Sequence, residues 1–308
     1  MVIKLPSRFS DNFGHPIQSL FSLLEQVQSA SGCKEIELNY REAKFTHPFY
    51  TLALPLIKKQ YGRSGQSLVI NDDFIDASTS EYMNCLSFPN GIDPLDLSDS
   101  SFEKFMEKFQ NKTYIPIITF PAGDGNEVSA IRDQFLSAIN RLLVRISQIK
   151  NPEMGALMYL LDEAINNILH HSYDDCGYLL AQYYPSKGYI DIAIADIGRT
   201  LLESYQNFDK YKNQINTHLE AMKAALSGQS TKGGNVDRGF GISTSKEVLT
   251  KGLNGKYFIW SGNVFNIHNS ELNNVIELPQ TIYWQGVYLC LRIPVVAKAG
   301  FNLYNYTD

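Results

Sequence analysis

Glu163, Asn167, His170 and His171 lie within one short stretch, Glu163-Ala-Ile-Asn-Asn-Ile-Leu-His-His171. At 100° per residue, Met154, Leu157, Leu161, Ala164, Ile165 and Ile168 form one apolar arc, with Glu163, Asn167 and His170 on the far side and His171 at its edge. Glu163 and Asn167 are four apart and rise from the same stripe. That stripe holds no Lys or Arg and ends in adjacent histidines, which is not the composition of a merely solvated face. A metal built on the histidines is disfavoured, because no Cys or carboxylate stands at ligand spacing from them. Two further segments carry chemistry. Asp196-Ile-Gly198 closes the apolar run IDIAIA. Arg238-Gly-Phe-Gly-Ile-Ser243 follows a Gly/Ser/Thr/Lys loop and opens a helix, an arrangement that presents free N–H groups to an anion or phosphate.

The elements that must hold these residues are readable in part. The spacing predicts a strand at Tyr114–Phe120, helices at 129–149 and from Pro152 to about Ser172, strands at 178–184 and 189–195, helices near 215–226 and 242–250, and strands at 256–260, 264–267 and 287–293. Earlier in the chain, strand Glu35–Asn39, a helix with Thr46 as N-cap and Pro48 in its first turn, strand Leu68–Ile70 and helix 78–86 make a small α/β unit. The turn-rich seam 90–113, with Ser100 or Ser101 as a helix N-cap, places a domain boundary near residue 110. Helices and strands that are grouped rather than alternating favour an α+β sandwich.

The chain has 308 residues and a net charge of −5, which suggests about two domains. An acidic chain without a Lys/Arg block argues against nucleic acid as a partner. Four scattered cysteines with no CxxC argue against structural zinc and a disulfide framework. No apolar window is long enough to span a membrane and the N-terminus lacks an apolar signal core, so the expected compartment is cytoplasmic.

Taken together and in order, the three segments resemble the GHKL ATPase superfamily. Glu163…Asn167…His171 is similar to its N box, Asp196-Ile-Gly198 to its G1 box, Arg238-Gly-Phe-Gly241 to its G2 box, and Gly286–Pro294 to its closing strand. The wording EAINNILHHS looks most like the anti-sigma factor serine kinase branch. The resemblance implies a Bergerat-type α/β sandwich, a mixed sheet with helices on one face, over residues 111–308, binding ATP and Mg²⁺. It implies Glu163 as general base, Asn167 as the Mg²⁺ ligand, and His171 in a supporting place in the nucleotide site. Asp196 would accept from the adenine amino group, and Gly198 would let backbone approach the base. Residues 227–241 would form a lid, with Lys232, Arg238, Gly239, Phe240 and Gly241 around the phosphates. The chain departs from the pattern at Thr200, which stands where a second Gly is usual in the nucleotide site, at Asn166, and at Val287 in place of Thr.

Residues 1–110 resemble a STAS fold, through EIELN, AKFTHPFY and SLVIN; Thr46 would be the phosphorylatable hydroxyl, although its helix-capping role is the simpler reading. His47 belongs to the same helix start, and Trp260 and Trp284 read as packing residues. The implied function is a regulatory ATPase or protein Ser/Thr kinase with a protein partner on the first domain, homodimerisation being open. The alternative is a non-catalytic, ATP-gated interaction switch. A sensor histidine kinase is disfavoured because residues 90–128 hold no His, and a topoisomerase or mismatch-repair role because no transducer domain follows residue 296.

Overall fold

Two sheets enclose a layer of helices. The architecture is that of a computed structural model describing residues 1–94, 102–122, 126–147, 149, 153–172, 174, 176–229, 231, 241–296 and 299–307, without the side chains of 103, 126–129, 131–132 and 169–171. The chain is α+β. The first sheet contains β1 (Val2–Lys4), β2 (Glu35–Asn39) and β3 (Ser67–Asn71), parallel and in chain order. Ile3, Ile36, Leu38, Leu68 and Ile70 point inward from alternate positions. Right-handed crossovers between strands in this order carry their helices to one face. These helices are α1 (Gly14–Ser29), α2 (Pro48–Thr51) and α3 (Ala53–Arg63), followed after β3 by α4 (Ala77–Cys85).

The start of α2 corrects one expectation. His47, not Thr46, is the N-cap, its Nδ1 accepting from Phe49 N–H at 3.3 Å with Pro48 next in line. Thr46 is buried, its hydroxyl bonded to Tyr40 at 2.9 Å and paired with Thr51, so it offers no accessible phosphoacceptor. The expected N-caps Ser100 and Ser101, and Pro152, lie outside the described residues.

After α5 (Phe102–Met106), the second sheet comprises β4 (Tyr114–Pro121), β5 (Cys176–Tyr184), β6 (Tyr189–Ala195), β7 (Lys256–Gly262), β8 (Val264–His268), β9 (Asn273–Glu277) and β10 (Trp284–Pro294). Their order is β4-β5-β6-β10-β7-β8-β9. The expected mixed sheet is corrected: every pairing between these strands is antiparallel. Strands β6 and β7 run the same way, but β10 enters between them and is antiparallel to both.

The helices of this half are α6 (Asn126–Ser147), α7 (Glu153–His171), α8 (Leu201–Gln206), α9 (His218–Leu226), α10 (Gly241–Glu247) and the short terminal α11 (Tyr304–Thr307). Helices α6 and α7 cover one face through Ile139, Leu161, Ile165 and Ile168 against Ile192, Ile194, Ile259 and Leu291. The other face is covered too, which corrects the expectation of helices on one face only. Ala193, Phe258, Trp260, Tyr288 and Cys290 join the same core as Leu24, Phe49 and Leu56. Strands apolar on both faces need both faces covered. Phe21 of α1 stacks edge-on against Trp260 with ring centroids 4.9 Å apart, and Tyr288 donates to the carbonyl of Phe49 at 2.8 Å.

Candidate nucleotide-binding cleft

Strand β6 aims the site by parity. Ile190, Ile192 and Ile194 face α7, whereas Ala193 and Ala195 face the N-terminal helices. Asp196, one step past the strand, continues the α7-facing series and still pairs by its N–H with the carbonyl of Val287 at 3.0 Å. Its side chain is 1% exposed. Gly198 N–H donates to Oδ1 at 2.9 Å and Val287 N–H to Oδ2 at 3.2 Å. Burial pushes the Asp196 carboxyl up to about 8; the two N–H donors oppose this, and the charge of Asp174 adds to it.

Close backbone approaches fix the surrounding turn. A Cβ on Gly198 would stand 2.1 Å from the carbonyl oxygen of Ser172, the residue after α7, and Arg199 N–H donates to that same oxygen at 2.6 Å. Gly286 has φ +89°, and a Cβ there would lie 2.5 Å from both the carbonyl oxygen and Oδ1 of Asp196. Trp284 Nε1 donates to that carbonyl at 3.1 Å.

The cleft in front of Asp196 is open to solvent and encloses about 870 Å³ of empty space counted out to its mouth. Ile168, Ile194, Leu201, Ile242, Ile259 and Leu289 give it apolar walls, and Asn167, Ser172, Asp196, Arg199, Ser204 and Gln229 contribute polar groups. Glu163 stands beside the cleft, one turn before Asn167. A Cβ on Gly241 would lie 2.3 Å from Glu163 Oε2 and 3.6 Å from Asn167 Nδ2, so the bare glycine lets α10 close onto the polar stripe of α7. The neighbouring Asp162 faces the other way and accepts from Asn140 of α6 at 3.2 Å.

The structure therefore brings together Glu163, Asn167, Asp196, Gly198 and Gly241. Thr200 is set apart: it is wholly buried and caps α8 in a capping box, accepting from Glu203 N–H at 3.2 Å while its own N–H donates to Glu203 Oε2 at 2.7 Å. The side chain of His171 lies outside the described residues, as do Lys232, Arg238, Gly239 and Phe240. The sequence reading missed Arg199, Leu201, Ser204 and Tyr205. Tyr205 donates to the carbonyl of Gln229 at 2.5 Å, tying α8 to the chain that leaves α9. The pattern Thr200-Leu-Leu-Glu203 was the available signal for α8; the same pattern, Thr217-His-Leu-Glu220, caps α9.

Among the described residues no cluster of three or more His, Cys, Asp or Glu could hold a metal ion, and no helix is long and apolar enough to cross a membrane. Comparison with protein-family models, curated proteins and solved structures finds no match to this chain.

Proposed function

We propose that the cleft binds ATP with Mg²⁺ and that the chain is a regulatory ATPase or protein serine/threonine kinase. The observation that carries this reading is Asp196. A carboxyl group fixed by two backbone N–H groups at the end of an apolar slot suits an exocyclic amine on a flat ring, and adenine offers both. The apolar walls suit the faces of the ring. Farther along α7, the amide oxygen of Asn167 would take Mg²⁺, which prefers oxygen ligands and keeps phosphates and water in its shell. Glu163, on the same stripe, would accept the proton of a water or hydroxyl acceptor. When bound, ATP supplies the phosphoryl group and Mg²⁺ offsets its charge.

Calorimetric titration with ATP and Mg²⁺ tests the binding. Wild type should bind, and Asp196→Asn, whose NH2 would face either the Gly198 or the Val287 N–H that the carboxyl now accepts from, should weaken binding by about a hundredfold, or roughly 3 kcal/mol. Absence of binding by wild type would end this reading. With γ-labelled ATP, label on protein that disappears in Glu163→Gln supports a kinase, and released phosphate supports an ATPase.

One observation favours a second reading, a switch that binds ATP without turnover. Thr200 closes α8 into a capping box where the GHKL pattern has a pliant glycine. Binding without transfer or hydrolysis is the outcome this reading expects. In either reading a regulatory protein would engage residues 1–110 from outside, since α1–α3 already spend their apolar face on the second sheet.

A further inference from the structure

The N-terminal helices touch the back of the cleft through Arg63, the last residue of α3. Its Nη1 donates to the carbonyl of Ile197 at 3.1 Å, and its Nη2 donates to Asp174 Oδ1 at 2.6 Å. Ile197 is the residue between Asp196 and Gly198. Asp174 flanks the same turn, since a Cβ on Gly198 would lie 3.0 Å from its Cβ. The Asp174 side chain is 4% exposed, against 44% for Arg63. One turn earlier on α3, Lys59 donates to the hydroxyl of Tyr178 at 2.6 Å, at the start of β5. Two cations on one edge of α3 thus hold the entry to β5 and the exit of β6. A planar guanidinium bonded to a carbonyl and a carboxylate at once sets the spacing between them.

We propose that Arg63 is a positioning residue that couples the seating of the N-terminal helices to the placement of Asp196, so that the affinity for nucleotide depends on how the end of α3 is seated. This rests on the nucleotide reading of the cleft. The guanidinium lies behind Asp196 and acts on ligand only through the turn at 196–198. Removing it takes away the cation beside Asp174 and one anchor of that turn, leaving the cleft walls in place. The route is short and contiguous: α3, Arg63, the Ile197 carbonyl, then the carboxylate and the Gly198 amide that holds it.

The test combines calorimetric titration of ATP and Mg²⁺ with amide hydrogen exchange on the full chain, comparing wild type, Arg63→Ala, Arg63→Lys and Asp196→Asn. Arg63→Ala should bind roughly tenfold more weakly, and Arg63→Lys, which keeps the charge, should recover part of the loss. Exchange at Gly198, Arg199 and Val287 should quicken in Arg63→Ala, while Phe258–Trp260 in the centre of the sheet stay protected. A general loss of fold would quicken all of them. If Arg63→Ala does not fold, Asp174→Asn weakens the same contact from the other side and carries the same expectations. Wild-type affinity in Arg63→Ala, alongside a weakened Asp196→Asn, would overturn the coupling and leave the nucleotide site standing. No binding by wild type would overturn the nucleotide reading and, with it, any effect on affinity.

Discussion

At the residue scale, Asp196 sets a pH dependence. An unfolded aspartate titrates near ~3.9, whereas burial pushes Asp196 up to about 8 in the fold. Between those values the folded chain binds more protons at this site than the unfolded chain. The stabilising contribution is therefore complete below pH ~4 and is lost as pH rises through about 8. Thermal melts across this range should show the stability of wild type relative to Asp196→Asn falling as pH rises; His218 and His268, whose pKa values burial lowers, oppose the trend equally in both proteins. Gly286→Ala should cost roughly 2–3 kcal/mol in urea unfolding, because alanine meets both a left-handed φ and the oxygens of Asp196. Asp196 and Gly198 were legible as the turn that ends an apolar strand. Thr200 was read against a missing glycine, although Glu203 three residues on marks it as a cap.

At the element scale, legibility followed burial. Strand β6 stands where its alternating Ile and Ala predict it, and the apolar arc of α7 is buried as expected. Helix α1 went unread although Ile17, Leu20, Leu24 and Val27 carry a helical period and Pro16 stands in its first turn. Strand β9 has Ile276 as its most exposed large apolar residue and little period to read. Chain separation hid a different contact. Asp191 of β6 is fully buried and receives Arg292 of β10 through two bonds, at 2.7 and 2.8 Å, with His47 Nε2 3.0 Å from the same carboxylate. Arg292 also donates to the carbonyl of Asp11 at 3.0 Å. Arg292→Met should destabilise the fold by about 3–5 kcal/mol in denaturant unfolding, because the buried Asp191 carboxylate would lose both guanidinium bonds and keep only His47; combining it with Asp191→Leu should recover part of the loss.

At the scale of the whole molecule, the apolar cluster that begins with Ile3 runs on through Ala193, Phe258 and Tyr288, across the seam near residue 110. The pairing of one half with the other was not visible in the sequence, because no short-range pattern distinguishes a sheet face that meets helices of its own half from one that meets helices of another. A shared core predicts shared unfolding. Calorimetry should give one cooperative transition, and a fragment beginning at Tyr114 should aggregate, since it would expose Trp260, Trp284 and Tyr288 together. The chain has two tryptophans, and they sit side by side in this seam with ring centroids 5.6 Å apart. One meets Phe21 of α1, and the other bonds the carbonyl of Asp196. The protein thus carries an unlabelled optical reporter at the joint between its halves: indole emission should respond both to ligand entering the cleft and to any partner that loosens the N-terminal helices.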